Sequence, residues 1–292
     1  MGGWRVQCAD LRDPLYGSLK EILFASQVIG TDDPGVKVLD AKLPFARTGR
    51  IWPYGGDAEH PVIVYDYTTT RGRAGPEAFL NGYRGYVPAD AYGGHDAFCK
   101  DPARGLIEVD CWAPARRYFH NALEADQAHR GPGLFLIAQL YGVEEAARAL
   151  GADDRLRQRQ LQSRPILDKL GNYLEEIRLE VLPKSPAGRA VRYTLKNWTA
   201  LTRYCEDGDL QIDNHARERA IRGVAVGRHN GLFLGRDGGG QTAAVRRSFL
   251  ASCQRAGVAP LAWFKDVLSR LAVHPITRIA ELLPHQWAPA QP

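Results

Sequence analysis

The chain changes texture partway along, and that change limits its fold more than any single residue does. Five short runs rich in β-formers, at 36–39, 50–54, 61–67, 85–89 and 106–111, stand between turn residues, which is the pattern of strands. One helical stretch, opening near Pro76 with Phe79, Leu80 and Tyr83 on one face, separates the third run from the fourth. After Cys111 the spacing turns helical for about ninety residues, at 113–128, 134–150, 154–182 and 186–204. A short amphipathic helix over 13–28, with Leu15, Leu19, Ile22 and Leu23 in register, precedes the strands. The order predicts an α/β protein: a mixed five-stranded sheet interrupted by an all-helical insertion.

A three-strand meander followed by alternating helix and strand is the order of an RNase H-like sheet. On that reading 1–29 is a helical lead, 30–117 and 208–256 are the two halves of the core, 118–207 is the insertion, and 257–292 holds C-terminal helices and a tail. The turn Glu206-Asp207-Gly208-Asp209 closes the insertion, and Asp213 or Asn214 caps a helix that carries Glu218 one turn inside.

Charge narrows the class of partner. The 292 residues carry 38 Lys and Arg against 33 Asp and Glu. Between Asp213 and Arg247 seven arginines face three acids, so most of the net excess of five lies around Glu218. A polyanion suits such a surface. Cys8, Cys99, Cys111, Cys205 and Cys253 lack chelating spacing and read as reduced, mostly buried thiols. The histidines show no chelating spacing either. No apolar run approaches the length of a membrane span, and the reading is of a cytoplasmic protein without a membrane partner. The run Gly235-Arg236-Asp237-Gly238-Gly239-Gly240-Gln241-Thr242 looks like a phosphate-binding loop, but Gln241 stands where a lysine has to reach the phosphates. It reads as a loop before a helix.

In an RNase H-like core, three carboxylates sit on the first strand, just after the fourth, and on a helix beyond the fifth. Asp32, Asp90 and Glu218 occupy those places, and carboxylates gathered from separate elements suit hard cations. Local sequence then becomes specific. Gly82-Tyr83-Arg84-Gly85-Tyr86-Val87-Pro88-Ala89-Asp90-Ala91-Tyr92, Cys111-Trp112-Ala113-Pro114-Ala115-Arg116-Arg117, Ile212-Asp213-Asn214-His215-Ala216-Arg217-Glu218-Arg219-Ala220-Ile221-Arg222, Gly227-Arg228-His229-Asn230 and Glu281-Leu282-Leu283-Pro284 follow in order. Together they resemble the insertion-sequence 66 family of DDE-type transposases, over nearly the whole chain.

The resemblance implies a DNA-cutting and strand-joining enzyme of a bacterial insertion sequence, associated with the nucleoid. Asp32, Asp90 and Glu218 would be both catalytic residues and metal ligands for two Mg²⁺, with Mn²⁺ as a substitute. It implies DNA as partner, both element ends and target, a homo-oligomer on that DNA, and accessory proteins of the same element. Arg116, Arg117, Arg219, Arg222 and Arg228 are the candidate DNA contacts. At the first carboxylate, Asp32-Asp33-Pro34-Gly35-Val36 stands where the family has an acid pair and then Thr-Pro-Val, so Asp33 remains a rival to Asp32. Pro114, His215 and His229 replace the family's His, Asn and Lys. Family members are longer at the N-terminus, which reads this chain as the catalytic and C-terminal part of such a protein. The alternative is a catalytically inactive DNA-binding module derived from a transposase.

Overall fold

The structure is a computed structural model and describes residues 13–40, 43–89, 105–122, 131–214 and 233–289. The chain divides into two compact units, one of residues 1–87, 98–106 and 216–292, the other of 88–97 and 107–215.

The first unit is a sheet covered on both faces. Strands β1 (Gly30–Thr31) and β2 (Gly35–Val38) both pair antiparallel with β3 (Arg47–Gly55). Thr31 faces Tyr54 and Gly35 faces Arg50, so four residues forward on one strand match four back on the other and the register is unbroken. What interrupts the strand is Asp32-Asp33-Pro34. Pro34 and its opposing neighbours include a second proline, Pro53, and neither has an N–H for the ladder; the Pro34 carbonyl still accepts from Ile51 N at 3.1 Å. Strand β4 (Ile63–Thr68) pairs antiparallel with the other edge of β3.

Alternation along these strands splits the side chains cleanly. Val36, Val38, Ile51, Ile63, Tyr65 and Tyr67 share one face and form a core with Leu234, Ala244 and Ala251. The last two come from helix α9 (Asp237–Arg255), whose Ser248 Oγ accepts from Tyr65 N at 2.7 Å. On the opposite face Tyr54 stacks on Phe79 of α2 (Ala74–Phe79) at 3.9 Å between centroids. Helix α1 (Asp13–Phe24) buries Leu15, Leu19 and Leu23, spaced four apart, and its Tyr16 hydroxyl donates to Tyr65 O at 2.8 Å.

Two further pairings extend the first strand on the edge away from β3. Strand β7 (Phe233–Leu234) runs parallel to β2, with Val38 opposite Leu234. At the other end Val28 bridges Tyr86 of β5 (Gly85–Ala89) in parallel, with Ile29 N donating to Tyr86 O at 3.0 Å and Tyr86 N to Gln27 O at 2.9 Å. Strand β5 pairs with β6 (Leu106–Asp110) as a two-stranded sheet. Strands therefore form at all five expected runs, but the grouping differs from expectation. The five-stranded sheet consists of β1 to β4 and β7, and a two-residue strand at 233–234 is too short to register as a periodic run.

The second unit is helical after β6: α3 (Trp112–Asn121), α4 (Gly131–Ala146), α5 (Ala152–Gln158), a π-helical turn Arg159–Ser163, α6 (Arg164–Ile177), α7 (Pro186–Lys196) and α8 (Trp198–Thr202). Helix α7 is entered by Ser185, whose hydroxyl accepts from Gly188 N at 3.0 Å with Pro186 as first helical residue. The C-terminal helix α10 (Pro260–Arg270) packs Trp263 on Phe249 of α9 at 5.2 Å. No helix among the described residues is long and apolar enough to cross a membrane.

Candidate active site

The break between β1 and β2 presents two adjacent carboxylates, and their surroundings differ. Asp33 is engaged by two guanidiniums: Arg71 Nε bonds its Oδ2, and Arg50 Nη1 lies 3.7 Å from the same oxygen while donating to the Asp33 carbonyl at 2.8 Å. Gly35 makes room for the Thr48 side chain. A Cβ there would come within 2.9 Å of Thr48 Cγ2 and 3.6 Å of Arg50 Nη1. Asp32 accepts locally from Asp33 N at 2.8 Å and is half-buried.

Asp90 and Glu218, together with Arg219, Arg222 and Arg228, lie outside the described residues. Among the described residues no group of three or more His, Cys, Asp or Glu could hold a metal ion. Arg116 and Arg117 are exposed on α3, and the Arg116 guanidinium lies over the Tyr141 ring at 5.2 Å.

Two of the motifs singled out in the sequence do meet. Trp112 N donates to Ile212 O at 3.0 Å, and Asn214 N donates to Cys111 Sγ at 3.4 Å. The buried Trp112 also donates from Nε1 to Leu201 O at 2.7 Å. The Cys-Trp step at the end of β6 thus holds the Ile-Asp-Asn step that leads to Glu218. Pro114, where the family has His, is the third residue of α3 and is tolerated because a first-turn N–H has no helical acceptor.

Sequence reasoning missed how the turn before that motif is held. Arg159, fully buried in the π turn, pairs bidentately with Glu144 (Nε to Oε1 2.8 Å, Nη2 to Oε2 2.6 Å). Its other N–H groups reach the carbonyls of Tyr204, Asp207 and Leu210 at 2.8, 2.8 and 2.9 Å. Arg155 takes Gly208 O at 2.7 Å and Gln160 takes Cys205 O at 2.6 Å. Five carbonyls of residues 204–210 are therefore held by side chains of α5 and the π turn that follows it. The π turn was the only local signal, and a π insertion has no sequence pattern of its own.

The Gly-rich run also resolves differently from expectation. Helix α9 begins at Asp237, so Gly238 to Gly240 form its first turns and leave no phosphate-binding loop. Tyr67 Oη donates to Asp237 Oδ1 at 2.5 Å, and Arg47 pairs with the same oxygen. Those two partners hold the Asp237 carboxyl below the usual range. A Cβ on Gly240 would lie 2.6 Å from the Tyr67 ring.

The family description "Transposase IS66 family" matches residues 1–242, and "IS66 C-terminal element" matches 248–285. The chain belongs to the IS66 transposase family. Among its relatives, the uncharacterized protein y4hP of Sinorhizobium fredii is 32% identical over 94% of this chain and 53% of its own length. The uncharacterized protein y4jD of the same organism is 27% identical over 98% of this chain and 59% of its own length. This IS66 chain thus spans a little over half the length of those relatives. No solved structure matches it.

Proposed function

We propose that this chain is the catalytic part of an IS66 transposase, cleaving DNA at the element ends and joining the freed strand to target DNA, with Asp32, Asp90 and Glu218 as its three carboxylates. The observation that carries the reading is a register. Val28 and Tyr86 are parallel partners, and Asp32 and Asp90 each follow four residues further along the chain. That equal spacing from the bridge is what the proposed pairing of the two carboxylates requires. A meander of three antiparallel strands, with Val28 just before β1 bridging Tyr86 of β5 in parallel, supports an RNase H-like core.

Asp32 is taken as the first ligand on the family motif, and Asp33, engaged by Arg50 and Arg71, is its rival. Tethering of the 212–214 step at the end of β6 supports Glu218 as the third. The donor set suits Mg²⁺, since hard cations select carboxylate oxygens over thiol or imidazole. Two such ions, when bound, stabilise the attacking and leaving oxygens of the phosphodiester. The chain's own contribution is to hold three carboxylates at one place and to neutralise neighbouring phosphates with arginine. Water is the nucleophile for cleavage, and the liberated 3′ hydroxyl for joining.

A Mg²⁺-dependent plasmid-nicking assay tests the proposal. The parent chain nicks, and Glu218→Gln and Asp90→Asn do not. A parent that binds DNA without cutting it, in Mg²⁺ or Mn²⁺, would instead identify an inactive DNA-binding relic.

A further inference from the structure

Helices α3 and α7 pack together and carry no acidic residue between them. They hold Arg116, Arg117, Arg189, Arg192 and Lys196, five cations in a chain whose net charge is five. Ala187, Ala190, Val191 and Thr194 fix the buried side of α7, which leaves Arg189, Arg192 and Lys196, three and four residues apart, as one exposed stripe. On α3 the buried Trp112, Ala115 and Phe119 turn Arg117 outward in the same way. Tyr118 and Tyr193 contact each other across the seam, tilted by 36° with 4.8 Å between centroids.

The pairing of Arg117, Arg189 and Arg192 separates them from an ordinary solvated surface. Exposed arginines elsewhere in this unit sit in ion pairs one turn along their helices: Arg148 with Glu145, Arg157 with Asp154 and Arg178 with Glu175. Among the described residues Arg117, Arg189 and Arg192 have no carboxylate partner. Three exposed arginines without carboxylate partners raise a local positive field that a polyanion relieves.

We propose that the α3–α7 face binds the phosphate backbone of duplex DNA, a deepening that rests on the proposed transposase reading. The stripe from Arg189 to Lys196 rises about 10 Å along its helix, a length over which duplex DNA presents about six phosphate charges. The two tyrosine rings are occupied with each other, so the face offers guanidinium and ammonium groups to phosphates and no platform for unstacked bases. Binding here positions DNA without reading its sequence.

The test measures affinity of the full chain for a short labelled duplex of random sequence over a range of salt. Arg117→Gln/Arg189→Gln/Arg192→Gln should weaken binding by about tenfold or more and make the salt slope shallower by about 0.9 per lost phosphate contact. The charge-matched control Arg148→Gln/Arg157→Gln/Arg178→Gln should stay within about twofold of the parent, because exposed ion pairs contribute little. Equal losses in the two variants, an unchanged slope, or displacement by polyglutamate as effective as by DNA would overturn the proposal. If the parent binds through this face but cuts nothing, the reaction falls and the face stands. If the parent cuts DNA and the face variant binds and cuts equally well, the face falls and the reaction stands.

Discussion

Arg159 and Glu144 form a bidentate ion pair in which the guanidinium is fully buried and the carboxylate nearly so. All five Arg159 donors are used, three of them on backbone carbonyls of the turn before Ile212. Removing one partner leaves a buried charge uncompensated, which costs about 3–5 kcal/mol. Arg159→Met should therefore lower unfolding stability by about that amount in urea titrations. The double variant with Glu144→Gln should lose less than the sum of the single losses. Additive losses would mean that the pair does not act as a unit.

Gly240 and its neighbours make a second, internally controlled prediction. Gly240→Ala forces a methyl against the Tyr67 ring and should destabilise by about 1–3 kcal/mol, the range for overpacking. Gly239→Ala meets nothing within 4 Å and lies in the first turn of α9, so it should be neutral or stabilise by up to about 1 kcal/mol. Equal destabilisation by both in thermal melts would show that the glycines are needed for backbone freedom rather than for the approach of Tyr67.

Cys111, Cys205 and Cys253 form no disulfide and are buried, and burial pushes the Cys253 thiol up to about 12. All three should resist a thiol reagent in the native protein near neutral pH and react on unfolding, with mass spectrometry reading each site. Labelling of Cys253 in the native state at the rate of a small-molecule thiol would contradict its burial.

Burial works to raise the pKa of Asp57, but hydrogen bonds from the His60 ring and from the His60 and Gln27 amides outweigh it and bring the carboxyl below its ordinary value. A folded-state pKa lower than the unfolded one gives stability that is present above the unfolded value, about 3.9, and is lost as pH falls through the folded value. Asp57→Asn should therefore destabilise at neutral pH and flatten the acid limb of the stability profile. An unchanged acid limb would show that the Asp57 carboxylate is not what these donors stabilise.

The legible part of the fold was whatever local periodicity encodes. Strands of five or more residues and the helices from Trp112 to Cys205 follow from spacing of apolar residues. Pairing was less legible, because the break at Asp32-Asp33-Pro34 and the bridge from Val28 to Tyr86 depend on contacts far apart in sequence. The same holds for the site. Motif resemblance pointed to Asp32 without excluding Asp33, and the reach of Arg50 and Arg71 to Asp33 from other strands and loops had no local signal. Arg159 carried no signal, since its partners lie 15 and 45 to 51 residues away.

The direct measurement is Mg²⁺-dependent nicking by Asp32→Asn and Asp33→Asn side by side, each first checked for a parental circular dichroism spectrum. Asp32→Asn should abolish cleavage while DNA binding persists, and Asp33→Asn, whose side chain serves Arg50 and Arg71, should keep most of it. Cleavage that survives Asp32→Asn and disappears with Asp33→Asn would contradict the assignment of the first carboxylate and the register argument built on it.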